Sequence, residues 1–230
     1  MKQILTQAIV LSRTDFGEAD RILTLLTADY GKLRVMARGV RKSKSKLAGG
    51  IELFSVSDIT FIYGRGEIGT LISARLSRYY GNIVKSIERV QLGYDLIKVL
   101  HKATEDAPEP EYFLLLEQAF IALDQSEVSV ELIRFWFSAQ LLSLAGYTPN
   151  LSTTSQGVKL QADKHYTFNF DDMSFENQPD SQLDSDHIKF LRLTFAGYQP
   201  AALNQVKGNQ NILSSVIPLV QTMLATQLQR

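Results

Sequence analysis

Arg38, Arg41, Lys42, Lys44 and Lys46 fall within nine residues of a chain with no formal net charge, and no acidic residue lies between Tyr30 and Ile51 to balance them. The chemistry open to such a group is neutralisation of a polyanion, because Lys and Arg displace the counterions condensed on a phosphate backbone with little regard for base sequence. A solvated loop is the other common use of a charge run. Three features favour phosphate. In the preceding stretch Lys32, Arg34, Met36 and Arg38 alternate with Leu33, Val35 and Ala37, and a period of two puts the basic side chains on one face of a strand. The run itself is built of Gly, Ser, Lys and Arg, which suit a flexible loop, and no counter-charge stands near it in the chain. The predicted nucleic-acid-binding set is therefore Lys32, Arg34, Arg38, Arg41, Lys42, Lys44 and Lys46.

Aromatic rings that stack on bases are the second ingredient of single-strand binding. Phe16, Tyr30, Phe54, Phe61, Tyr63, Tyr79 and Tyr80 all precede Gly81. A small barrel needs most of them for its core. Tyr30, in the turn directly before the basic strand, is the expected stacking residue. Gly64-Arg-Gly-Glu-Ile-Gly69 fits the spacing of a dinucleotide fingerprint, but the residues after it read as a strand and not as the helix a phosphate site needs. A hairpin turn is the better account, with Arg65 at its tip in reach of phosphate.

Catalytic constellations are missing from the sequence. It has no Walker loop, no nucleophile elbow and no His-Glu-x-x-His, and His101, His165 and His187 stand in separate contexts. The pairs Asp171 and Asp172, and Asp184 and Asp186, lie in a polar segment without the apolar walls that raise a carboxyl pKa. A non-enzymatic binding protein without a cofactor is expected. Trp136, within Ile133-Arg-Phe-Trp-Phe137, serves either the core or a groove for an apolar peptide anchor.

The elements that must position the basic residues follow from periodicity. Short stretches at 8–14, 21–27, 32–38, 54–63 and 69–80 are rich in β-branched and aromatic residues and separated by glycine-bearing turns. Five such strands fit a small closed barrel. From Gly81 onward apolar residues recur at three and four, predicting helices that start near Ile83, Phe113, Leu132, Ser185 and Asn209, with Pro218 expected to kink the last. Residues 150–185 are polar, with a hairpin expected between Val158-Lys-Leu and His165 to Phe170. The fold class is thus α+β, with a nucleic-acid-binding barrel over 1–80 and a helical domain over 81–230. Charge divides the same way: residues 1–80 hold thirteen Lys and Arg against seven Asp and Glu, net +6, and residues 81–230 hold eleven against seventeen, net −6. A basic half is the half that meets a polyanion. Cysteine is absent, no apolar run has membrane-spanning length, and the first residues do not read as a signal peptide, so a cytoplasmic location without membrane contact is expected.

Gly17-Glu-Ala-Asp-Arg-Ile-Leu-Thr-Leu-Leu-Thr27, followed by Gly31-Lys32 and by Ala37-Arg-Gly-Val-Arg-Lys-Ser-Lys-Ser-Lys46, resembles the N-terminal domain of the RecO recombination-mediator proteins of bacterial DNA repair. Gly50-Ile-Glu-Leu-Phe-Ser55 is similar to the family's next strand, and Leu141-Leu-Ser-Leu-Ala-Gly-Tyr-Thr-Pro-Asn-Leu151 to the end of its central helical bundle. The resemblance implies an OB-fold followed by a helical domain. It also implies a nucleoid-associated protein that binds single- and double-stranded DNA, anneals complementary strands and helps load recombinase onto strands covered by single-strand-binding protein. The partners it implies are RecR and the C-terminal tail of single-strand-binding protein. The residues alone also fit an RNA-binding or ribosome-associated OB protein.

The chain departs from the family in one respect. Many members carry two Cys pairs that hold zinc after the Gly-Tyr-x-Pro-x-Leu segment, whereas here the region reads Ser152-Thr-Thr-Ser-Gln-Gly157 and Met173-Ser-Phe-Glu-Asn-Gln178. His165 alone cannot make a tetrahedral site. This chain is therefore expected to lack zinc and to hold its hairpin by packing Tyr166, Phe168 and Phe170.

Overall fold

The computed structural model describes residues 2–64, 66–104 and 110–228 of the 230-residue chain. Packing divides it into two compact units, Met1–Gln125 and Ser126–Arg230. The first unit contains the five strands and also the first two long helices.

Strands β1 (Gln3–Phe16), β2 (Asp20–Thr27), β3 (Gly31–Ala37), β4 (Ser55–Ile62) and β5 (Gly69–Tyr79) form an OB-like sheet in the order β1-β2-β3-β5-β4. The sheet closes because β1 is long enough to serve two partners. Its first half pairs with β4 from Gln3 opposite Ile62 to Ala8 opposite Ser57, and its second half pairs with β2 from Ala8 opposite Thr27 to Phe16 opposite Asp20. A register shift between Val10 and Ser12 supplies the bend. On the other side β3 meets β5 in parallel through Val35 and Met36 only. Inward side chains fill the interior, among them Val10, Leu23, Leu25, Val35, Ile59 and Phe61. The glycine-spaced segment is followed by β5, which pairs antiparallel with β4, and not by the helix that a nucleotide fingerprint opens.

Helices α1 (Ile87–Ala103) and α2 (Pro110–Asp124) complete this unit. The first begins later than the apolar spacing predicts. Ile83–Lys85 forms a 3-10 turn and Ser86 is extended, which resets the backbone before Ile87. Phe54 fixes the join between sheet and helices: it holds φ of 55°, and its ring meets Tyr94 at 5.4 Å and Phe120 at 5.6 Å. Gly93 leaves room for that ring, since a Cβ there would stand 2.5 Å from Phe54 Cε1. Beside it Arg78 donates to Glu117, and Tyr80 Oη donates to the same carboxylate oxygen at 3.4 Å.

The second unit packs α3 (Val130–Leu144), α4 (Ser185–Phe195), the short α5 (Pro200–Leu203) and α6 (Asn209–Gln227) with a three-stranded sheet of β6 (Asn150–Thr154), β7 (Tyr166–Asn169) and β8 (Ser174–Asn177) in the order β6-β8-β7. Trp136 is buried in α3, which gives it a core role. The hairpin differs from expectation. β7 pairs with β8, whereas Val158-Lys-Leu lies against β6, with a bridge from Lys159 to Thr153, the Thr154 amide donating to the Val158 carbonyl at 2.8 Å and the Leu160 amide to the Ser152 carbonyl at 3.1 Å. The reason is Phe175: wholly buried, it takes the rings of Tyr166 and Phe168 at 6.5 and 5.1 Å, a denser apolar contact than Val158 offers. Phe170 packs on Phe168 at 5.0 Å at the exposed margin.

Candidate nucleic-acid interface

Burial along β3 follows the alternation in its sequence. Leu33, Val35 and Ala37 are buried, Arg34 is exposed, and Lys32 and Met36 are half-buried. Antiparallel pairing sets Lys32 beside Leu26, Arg34 beside Thr24 and Met36 beside Ile22, so the outward face of β2 and β3 carries the cations. The turn into β3 is built for its tight geometry: Gly31 takes φ of 62°, Thr27 Oγ1 donates to the Gly31 carbonyl at 2.8 Å, and the Tyr30 amide donates back to that hydroxyl at 3.0 Å. Lys32 Nζ donates to the His101 carbonyl at 3.2 Å in the last turn of α1, where a cation also meets the negative end of the helix dipole.

Beyond β3 the basic run departs from the free loop its composition suggests. The Gly39 amide donates to Asp20 Oδ1 at 2.7 Å and the Arg41 amide to the Ala19 carbonyl at 2.9 Å. Arg41 Nη1 donates to the Gly17 carbonyl at 3.3 Å, and its Nε lies 3.6 Å from Asp15 Oδ2. Asp15 also accepts from Arg21 Nε at 2.7 Å. That hydrogen bond chiefly, against a smaller opposing effect of burial and with the charge of Arg41 added, holds the Asp15 carboxyl below its ordinary pKa. The expectation that no counter-charge stands nearby is thereby corrected: β1 and β2 bring Asp15 and Asp20 to the start of the loop, although the sequence between Tyr30 and Ile51 contains no acid. The far end is fixed at Gly50, where a Cβ would fall 2.4 Å from the Ala74 backbone.

Arg38, just before these anchors, and Lys42, Lys44 and Lys46 between them are exposed, and among the described residues neither they nor Arg34 have an ion-pair partner. Together with Lys32 they form a row of cations from one end of β3 to the other and out along the loop. Seven residues of strand at about 3.3 Å each span roughly 20 Å. A row of this kind, solvated and without carboxylate partners, is suited to a phosphate chain.

The outward face also holds a depression of about 450 Å³. Thr24, Lys32 and Arg34 contribute from the strands, Tyr63 and Glu67 from the β4–β5 turn, and His101 from α1. In OB-folds, oligonucleotides lie across strands two and three with the turn between strands four and five as a wall, which is the placement seen for this depression. Tyr30 is 49% exposed but does not line it, and Arg65 lies outside the described residues. Tyr63, named in the sequence among the aromatics needed mostly for the core and placed at the end of the 54–63 strand, instead lines the depression. Its position one residue past β4, beside Gly64 and Gly66, was the available signal.

No three His, Cys, Asp or Glu side chains among the described residues converge to hold a metal ion, and the chain has no cysteine. The small sheet of β6, β7 and β8 is packed instead through Phe175 and its ring contacts with Tyr166 and Phe168. The donor set does not fit zinc.

The family model described as Recombination protein O N terminal matches residues 1–80, and that described as Recombination protein O C terminal matches residues 96–230. The chain is similar to the DNA repair protein RecO of Dehalococcoides mccartyi strain 195, at 35% identity over 147 residues that cover 64% of this chain and 57% of the relative. The same-named protein of strain CBDB1 is 35% identical over 163 residues, covering 70% of this chain and 64% of the relative. That of Rubrobacter xylanophilus is 32% identical over 146 residues, covering 64% and 58%. The matched part therefore spans less than two thirds of the length of these relatives.

Proposed function

Since the chain belongs to the RecO family, we propose that it is a DNA-repair mediator that binds single- and double-stranded DNA along the outward face of β2 and β3. The observation that carries this reading is the row of cations from Lys32 to Lys46, which lacks carboxylate partners except at Arg41. Such a row neutralises phosphates without reading bases, and binding then falls steeply with salt. Lys32, Arg34, Arg38, Lys42, Lys44 and Lys46 are assigned to phosphate, Arg41 chiefly to holding the loop and secondarily to phosphate, Tyr30 to base contact and Arg65 to phosphate.

Annealing follows from the same electrostatics. Two strands bound to one positive surface repel each other less, so pairing is faster than in solution. No covalent chemistry is assigned to the protein. Recombinase loading, contact with RecR and with the acidic tail of single-strand-binding protein, and residence at the bacterial nucleoid are carried over from the family, with the helical unit as the seat of the protein contacts. The test is direct. Anisotropy of labelled single strands and duplexes, with annealing of complementary oligonucleotides followed by fluorescence, should show tight, salt-sensitive and sequence-tolerant binding and accelerated pairing. A flat salt response, or stronger binding to structured RNA than to DNA of equal length, would reject it.

A further inference from the structure

Tyr63 is 40% exposed, yet its ring is fixed. It stands edge-on to Phe61, with ring centres 5.4 Å apart and planes at 88°. Phe61 is wholly buried, and Tyr30 braces it from another direction at 6.3 Å and 85°. A side chain with one part anchored on a core ring and another part open to solvent loses little further freedom when something stacks on it. Tyr63 also lines the depression that contains Lys32 and Arg34. A volume of about 450 Å³ lies within the range of small-molecule sites and is ample for a nucleotide.

From this juxtaposition we propose that Tyr63 forms a base-stacking subsite, so that the interface prefers nucleotides whose bases are unpaired and unstacked. The inference rests on the nucleic-acid reading above and adds to it a residue that discriminates between forms of DNA. Lys32 and Arg34 hold the backbone. Glu67, in the same depression, repels phosphate, so a neutral base is the part of a nucleotide suited to the space it shares with Tyr63. A duplex engages the cations but offers no free base face, because each base is already stacked on its neighbours. The cation row therefore binds both forms of DNA, and Tyr63 adds affinity for single strands alone.

Abasic DNA separates stacking from charge. Anisotropy is measured with oligo-dT, with an abasic oligonucleotide of the same length and phosphate number, and with a duplex, on the native chain, Tyr63→Ala and Tyr63→Phe. Stacking a base on an aromatic ring is worth about 1–3 kcal/mol, or roughly 5- to 150-fold in affinity. The native chain and Tyr63→Phe should favour oligo-dT over abasic DNA within that range. Tyr63→Ala should lose the preference while keeping its affinity for duplex and abasic DNA. An oligo-dT to abasic ratio near one in the native chain, or a ratio that survives in Tyr63→Ala, overturns the subsite while leaving the cation row intact. Failure of the native chain to bind any of the three oligonucleotides overturns the nucleic-acid reading and the subsite with it.

Discussion

Replacing Arg38, Lys42, Lys44 and Lys46 together by alanine should remove most of the salt dependence of DNA binding without unfolding the protein. These four side chains are exposed and make no ion pair among the described residues, so their loss leaves no buried group unpaired. Lys32 and Arg34 remain. For single strands log K falls with log salt by about 0.7 for each phosphate neutralised. Leaving aside Arg41, whose charge Asp15 already offsets, six cations each taking one phosphate give a slope near −4 for the native chain, and the two left in the variant give about −1.4. From 50 to 200 mM salt the native affinity should therefore fall by roughly 300-fold and that of the variant by only about 7-fold. The assay is anisotropy of a labelled single strand across that range, with circular dichroism to confirm the fold. Arg41→Ala is the informative control. Its guanidinium is engaged with Asp15 and the Gly17 carbonyl, so its removal should alter the slope less than Lys42→Ala does. A slope unchanged in the quadruple variant would refute the reasoning, since it would mean that the phosphates lie elsewhere.

Three further outcomes follow from the packing. Gly93→Val forces branched carbon against Phe54, whose φ of 55° and contacts with Tyr94 and Phe120 leave it nowhere to go; overpacking should lower stability by about 1–3 kcal/mol in urea unfolding, and an unchanged midpoint would show that the ring can move. Tyr80 is pushed up to about 12, first by burial and then by the Glu117 carboxylate, with Arg78 opposing. The unfolded chain ionises this phenol from about pH 10, so its contribution is complete below that pH and is lost as pH rises toward 12. The native chain should lose roughly 1–2 kcal/mol more than Tyr80→Phe across that window, with discount for screening near Arg78, and parallel losses would refute the assignment. Asp184 caps α4 by accepting from the Asp186 and His187 amides at 2.9 and 3.2 Å, and it meets His187 Nδ1 at 2.8 Å. Burial alone would raise its pKa, but the His187 side chain and the two amides outweigh burial and hold it low. A depressed carboxyl stabilises above its unfolded pKa and ceases to as pH falls through the folded value. Asp184→Ala should cost about 1 kcal/mol near neutral pH and little in strong acid, read from the fluorescence of Trp136; equal costs at both would exclude the cap as the cause.

The sequence by itself determined what is local. A period of two placed Lys32 and Arg34 opposite Leu33 and Val35, and the strand geometry reproduces that assignment because successive side chains of an extended backbone must point to opposite faces. Glycine spacing marked the β4–β5 turn, and the spacing of apolar residues marked the long helices. The position where α1 starts was less legible, because an extended Ser86 leaves no trace in apolar spacing.

Tertiary structure alone decided how the cations are balanced and what stands beside them. Asp15 reaches Arg41, and Asp20 reaches the Gly39 amide, only because β1, β2 and β3 pair side by side. Tyr63 reaches the depression of Lys32 and Arg34 because β5 closes the sheet against β3 and carries the β4–β5 turn with it. Phe175 displaced Val158 as the focus of the hairpin for the same kind of reason: ring-on-ring packing between β7 and β8 buries more apolar surface than the nearer segment could. Periodicity records which way a side chain points along its own strand, whereas the identity of its neighbour depends on pairings between distant segments, and no local pattern encodes those.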